Sequence, residues 1–174
     1  MVGMRIAVTG TPGVGKTSAS ELVRTLKVVH VNDLAESCGA VVGFDEGRRT
    51  KEVDVRRLAK AVSKLEGDLL LEGHLSHLLD VDVAVVLRCS PKVLGRRLAK
   101  KGWPEAKVRE NVEAEAVDVI LVEAVESVPE VCEVDTTGMK PAEVAAAIEK
   151  IAAGEIQKYP VGHVDWSREV LDWF

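Results

Sequence analysis

The chain alternates between short apolar runs and stretches whose apolar residues recur at helical spacing. Met4-Arg5-Ile6-Ala7-Val8-Thr9, Val28 to Val31, Asp68 to Glu72, Val81 to Leu87 and Val131 to Val134 are short, nearly continuous apolar runs. Runs of this kind read as parallel strands buried on both faces. Ala19, Leu22, Val23 and Leu26 predict a helix from Thr17 to Leu26. Val55, Leu58, Ala59, Val62 and Leu65 predict another, stopped by Gly67. Residues 91–101 turn Val93, Leu94 and Leu98 inward, and residues 105–126 place Val108, Val112, Ala116, Val119 and Ile120 on one stripe. Gly102-Trp103-Pro104 breaks the chain between these two. Pro141 suits the first turn of a helix reaching about Ala153, with Gly154 at its end. The alternation predicts one α/β domain over residues 1–174, a parallel five-stranded sheet with helices on both faces in three layers. Asn32 to Asp54 fits neither period. It carries Gly39, Gly43 and Gly47 beside Arg48, Arg49 and Lys51, and reads as a mobile insert rather than core.

The first strand and first helix enclose Gly10-Thr11-Pro12-Gly13-Val14-Gly15-Lys16-Thr17. This run fits G-x-x-x-x-G-K-[ST] in the strand–loop–helix context that the motif requires. Its glycines let successive backbone N–H groups turn toward phosphate oxygens, and the helix N-terminus adds its positive end. Lys16 is expected to reach the β/γ-phosphates of a nucleoside triphosphate, and Thr17 to hold Mg²⁺.

Other chemistry-bearing residues cluster after later strands. Glu72 ends an apolar strand, where an acid can hold Mg²⁺ directly or through water; a solvated strand-end acid is the plainer alternative. His74, two residues on, is a candidate for orienting water or sensing the γ-phosphate, or is a structural loop histidine. His74 and His77 are spaced H-x-x-H without a third ligand type nearby, which does not make a metal site. Arg96, Arg97, Lys100 and Lys101 form a basic cluster suited to phosphate oxygens, on a helix that ends in a breaker. Spacing alone selects no single arginine, and a solvated basic face is the alternative.

Composition narrows the setting. A formal net charge of −5 gives no global attraction for nucleic acid. Cys38, Cys89 and Cys132 are odd in number and widely spaced, which suits a reducing interior. Neither an N-terminal signal nor an apolar run of spanning length is read, so a cytoplasmic protein without membrane contact is expected. Of six aromatic residues, Tyr159, Trp166, Trp173 and Phe174 fall near the C-terminus. Trp166, Val170, Trp173 and Phe174 share a helical face, which either docks on the core or binds a partner.

Taken together, these segments resemble the P-loop kinase family of adenylate kinase isoenzyme six, with its eukaryotic ribosome-assembly ATPases and their archaeal counterparts. The similarity covers about residues 4–153. It rests on Ile6 to Thr17, on Val31-Asn32-Asp33-Leu34-Ala35, on Leu71-Glu72-Gly73-His74, and on the stretch from Val86-Leu87-Arg88 through Arg97-Leu98 and Lys101-Gly102-Trp103 to Asn111-Val112-Glu113-Ala114-Glu115. The resemblance implies phosphoryl transfer from ATP to AMP or a related nucleoside monophosphate, ATP hydrolysis, and a role in small ribosomal subunit maturation with ribosomal protein uS11. Nucleic acid would then be met only indirectly, through the ribosome. Carried over, Gly13, Val14, Gly15, Lys16, Thr17, Ser18 and Lys101 would bind ATP, and Thr17 and Glu72 would hold the metal. Lys16, Glu72, His74 and Arg97 would be catalytic. The monophosphate-binding region would run about 32–55, the lid about 100–110, and the aromatic tail from 155 to 174. Three positions depart from the family pattern: Glu72 stands for an Asp, Lys101 for an Arg often found in the lid, and Glu36 for an Arg present in some members.

Overall fold

The computed structural model describes residues 3–174. Its centre is a parallel five-stranded sheet. The strands are β1 (Arg5–Thr9), β2 (Lys27–His30), β5 (Leu69–Glu72), β6 (Val83–Arg88) and β7 (Glu130–Asp135), in the order β2-β5-β1-β6-β7. Two further strands, β3 (Val41–Asp45) and β4 (Thr50–Val53), form a separate antiparallel hairpin. Along β1, Ile6 and Val8 point into one apolar cluster and Ala7 into another; along β6, Val83, Val85 and Leu87 alternate with Ala84 and Val86 in the same way. A strand buried on both faces has no polar side to show, which is why these segments read as unbroken apolar runs.

The two clusters define the outer layers. Over one face lie α1 (Lys16–Ser20), α4 (Pro91–Lys100), α5 (Glu105–Ala116) and α7 (Pro141–Ala152). Over the other lie α2 (Val31–Ser37), α3 (Val55–Ser63) and α6 (Val119–Ser127). A short helix, α8 (Ser167–Leu171), ends the chain. Ser90 caps α4 with Pro91 in its first turn, and Asp54 caps α3 by accepting from the Arg57 amide.

Three sequence expectations are corrected. The first helix ends at Ser20 rather than Leu26. The amides of Leu22 and Val23 bond back only three residues, and those of Arg24 and Thr25 turn to the Glu149 carboxylate on α7. The helix expected over 105–126 is two helices. Asp118 sits between them in the left-handed region, φ 60°, its carboxylate bonded to the Arg88 guanidinium. The break carries the chain from one face of the sheet to the other: Val108 and Val112 pack on the first cluster, Ile120 and Leu121 on the second. Finally, the insert is not patternless, because Val31–Ser37 is helical and the β3–β4 hairpin follows.

Candidate active site

The phosphate loop leaves the C-terminal end of the central strand β1, between β5 and β6. Gly13 has φ 94°, and a Cβ there would lie 2.7 Å from Leu98 of α4, so the loop can press against that helix only with glycine. Gly15, at φ 104°, turns the chain into α1. With five residues, α1 adds little dipole. The loop amides and Lys16 therefore carry more of any phosphate binding than a full-length helix would have left them.

Lys16 is buried, its ammonium donating to the carbonyls of Gly10 at 2.7 Å and Thr11 at 3.1 Å. Burial pushes its pKa down to about 8; the Glu72 charge opposes this, and the Lys101 charge adds to it. Thr17 Oγ1 donates to Glu72 Oε1 at 3.1 Å, and the other carboxylate oxygen lies 2.7 Å from His30 Nδ1. Two hard oxygen donors thus converge from α1 and β5, a donor set that fits Mg²⁺ completed by water and phosphate.

His74 lies on the loop after β5. Burial first, then the Lys16 charge, lowers its pKa to about 4, so its ring is neutral at pH 7. His77 is fully buried, with Nδ1 2.7 Å from Thr9 Oγ1 and Nε2 2.9 Å from Glu123 Oε2. An imidazole committed to these two partners braces β1 against α6 rather than waiting for a ligand. Among the described residues, no group of three or more His, Cys, Asp or Glu side chains is placed to hold a metal ion by itself.

Beside the loop opens a cavity of about 470 Å³. Gly13, Gly15 and Ser18 form its phosphate end, Arg97, Lys100 and Lys101 its basic wall, and Met139, Pro141 and Val144 its apolar wall. Arg97 reaches within 3.5 Å of the carbonyls of Gly13 and Val14. Of the basic cluster, Arg97, Lys100 and Lys101 therefore meet the loop, whereas Arg96 is exposed and does not line the cavity.

Several site residues escaped the sequence reading. Thr136 Oγ1 lies 2.8 Å from the Val14 carbonyl and 2.9 Å from that of Arg88, fixing the loop to the ends of β6 and β7. His30 supports Glu72, and its place just before the quoted Val31-Asn32-Asp33 segment was the available signal. Arg88 is buried among Glu115 at 2.8 Å, Glu133 at 2.9 Å and Asp118. Burial alone would lower its pKa, but Glu115 above all and then Asp118 hold it above the ordinary value.

Across the cleft the insert approaches the α4–α5 turn. Lys107 Nζ donates to the Arg49 carbonyl at 3.1 Å, and Arg48 pairs with Glu110 at 3.3 Å. Glu36 is paired with Lys51. The tail divides: Tyr159 packs on the core and Trp166 stands over Arg88, whereas Leu171 and Phe174 are exposed. All three cysteines are free thiols, and no helix among the described residues is long and apolar enough to cross a membrane.

Comparison with known proteins agrees with this geometry. A family profile described as "AAA domain" matches residues 6–118. A protein of Archaeoglobus fulgidus named "Putative adenylate kinase" is 46% identical over 174 residues, covering 97% of this chain and 95% of that one. Proteins of the same name from Natronomonas pharaonis and Pyrococcus abyssi are 46% and 42% identical, covering 96% and 97% of this chain and 100% and 94% of theirs. Among solved structures, an unliganded sugar kinase from Janibacter sp. HTCC2649 superposes with a TM-score of 0.56 at 12% identity, covering 91% of this chain and 99% of that one. The TT1252 protein of Thermus thermophilus gives 0.52 at 20%, covering 88% and 98%. At these identities the structural matches bear on the fold alone, an α/β P-loop kinase fold.

Proposed function

Because the chain belongs to the AAA-domain P-loop family, and within it to the archaeal adenylate kinase-like family, we propose that it transfers the terminal phosphoryl group of ATP to AMP or a related nucleoside monophosphate. The observation that carries this reading is the cavity itself, in which the phosphate loop and the basic residues of α4 share one space while the insert faces them across the cleft. The loop amides, Ser18 and Lys101 hold the ATP phosphates. The Lys16 ammonium exchanges the Gly10 and Thr11 carbonyls for β/γ-phosphate oxygens. Thr17 and Glu72 hold Mg²⁺, which when bound offsets the negative charge of those phosphates. A phosphate oxygen of the monophosphate attacks the γ-phosphorus, the β–γ bridging P–O bond breaks, and two nucleoside diphosphates result. Arg97 offsets charge on the transferred group. Neutral His74 orients the attacking group by hydrogen bonding, and His30 keeps the Glu72 carboxylate turned toward Thr17. Residues 32–55 serve the monophosphate, residues 100–110 act as the lid, and the reaction takes place in the cytoplasm.

The test is product analysis of the purified chain with ATP and Mg²⁺, with and without AMP. Two ADP formed per ATP consumed, strictly dependent on AMP, is the expected result; a bisubstrate dinucleotide such as Ap5A should inhibit it. ADP and inorganic phosphate formed without AMP would instead favour a second reading, an ATPase switch in small-subunit maturation that binds uS11. That reading is supported by the family resemblance and by the exposed end of the tail at Leu171 and Phe174.

A further inference from the structure

Glu115 is the one acid of α5 that is buried. Its carboxylate accepts four hydrogen bonds from three separate parts of the chain. Oε2 accepts from Thr11 Oγ1 of the phosphate loop at 2.7 Å. Oε1 accepts from Arg88 Nε at 2.8 Å and the Cys89 amide at 3.2 Å, both at the end of β6, and from Trp166 Nε1 of the tail at 3.3 Å. Three of the four donors meet Oε1, and Thr11 alone meets Oε2. Thr11 is also one of the two residues whose carbonyls hold the Lys16 ammonium.

The tail has two further anchors on the same end of the sheet. The Gly162 amide donates to Glu133 Oε2 at 2.8 Å, and Glu133 in turn pairs with Arg88. Glu169 accepts from Ser90 Oγ at 2.6 Å and from the Lys92 amide at 3.1 Å, at the capped start of α4. The tail therefore binds at the root of the helix that carries Arg97 and Lys100, and at the carboxylate that accepts from the loop.

We propose that Glu115 is a positioning residue for the phosphate loop, and that Trp166 of the C-terminal tail sets its position, so that docking of the tail tightens nucleotide binding. No atom of Trp166 lines the nucleotide cavity. Its influence passes through one shared carboxylate: Trp166 joins Arg88 and the Cys89 amide in holding Oε1, and Oε2 holds Thr11. In a buried site of low dielectric, hydrogen bonds that share one charged acceptor are coupled rather than additive. The inference rests on the reading of the loop as an ATP site.

Glu115→Gln risks unfolding, because its amide nitrogen cannot accept from the donors that surround the carboxylate. The test therefore uses two milder changes in the full chain. Trp166→Phe keeps an aromatic ring over Arg88 but removes the indole N–H. Thr11→Val removes the hydroxyl at nearly constant volume. ATP dissociation constants are measured by titration calorimetry for the unaltered chain, each single variant and the double variant, with melting temperatures alongside. Trp166→Phe is expected to weaken ATP binding about threefold to tenfold, and to have no further effect once Thr11 is Val. In turnover the change is expected in KM rather than kcat. An unchanged dissociation constant with a lowered melting temperature would make Trp166 merely structural and overturn the proposal. So would single effects that multiply in the double variant. Either result with normal ATP binding leaves the kinase reading standing, whereas an unaltered chain that binds no ATP overturns both.

Discussion

The two banks of the cleft are built differently. On the phosphate-loop side the contacts are buried: Lys16 against two carbonyls, Thr136 against Val14, Thr11 against Glu115. On the insert side they are exposed: Glu36 with Lys51, and Arg48 with Glu110, whose side chains are 70% and 52% accessible. Exposed ion pairs contribute about 0–1 kcal/mol each, whereas buried charges with multiple partners are costly to disturb. The phosphate-loop side, the donor side of the proposed reaction, is thus the more firmly held of the two. On that reading the asymmetry would let an acceptor enter and leave on the insert side while ATP is held in line.

The sharpest way to break the comparison is at Arg88. Arg88→Met would leave Glu115 and Glu133 buried without their cation, and a loss of about 3–5 kcal/mol is expected in urea denaturation. An effect below 1 kcal/mol would mean that the donor side is no more rigid than the insert.

Lys16→Met comes next and has two opposite effects. Phosphoryl transfer should fall by about 10²–10³-fold. The nucleotide-free chain should become more stable, because the buried ammonium is held at a pKa of about 8, below its ordinary 10.5. The unfolded chain binds more protons between those values, so stability of the unaltered protein rises from about pH 8 toward 10.5. ATP affinity should fall over the same window as the ammonium is lost. Calorimetric melting and ATP titration across that range check both signs.

On the acid side, burial holds His74 at about 4 in the folded chain, below its ordinary 6.5, and lowers His77 in the same direction. The stabilising contribution of His74 is complete above about pH 6.5 and declines as pH drops toward 4, and His77 acts in the same direction. A melting temperature that stays flat through this interval would contradict the buried, neutral assignment.

Smaller effects separate the two banks further. Thr136→Val should cost about 1 kcal/mol and weaken ATP binding a few-fold, by freeing the loop from β7. Arg48→Ala should cost less than about 1 kcal/mol and leave ATP affinity unchanged, while raising the KM for the monophosphate. A larger effect of Arg48→Ala on ATP binding than of Thr136→Val would reverse the assignment of the two banks.

The strands were legible because parallel strands buried on both faces must be apolar at every position, and few other segments are. The phosphate loop was legible because its glycines and lysine are fixed by the space they leave, as Gly13 shows against Leu98. Failures came where tertiary contacts overrode a local pattern. Leu22 and Leu26 continued the first helical stripe, but Glu149, far along the chain, captured the amides that would have extended the helix. Val119 and Ile120 continued another stripe across Asp118, and nothing local announced that Arg88 would bend the chain there. Glu115 stood outside the apolar stripe read from residues 105–126, so nothing in that pattern marked it as buried. Its burial depends on Arg88, Thr11 and Trp166, none of them within helical reach in sequence.

The knot around Arg88 also orders events in time. A chain made from its N-terminus exposes Arg88 well before Glu115 and Asp118, then Glu133, and last Gly162 and Trp166. Until those partners exist the guanidinium has better company in water than in protein, so the C-terminal ends of β6 and β7 must stay open. The Arg88 cluster is therefore completed only after residues as far along the chain as Gly162 and Trp166 have been made.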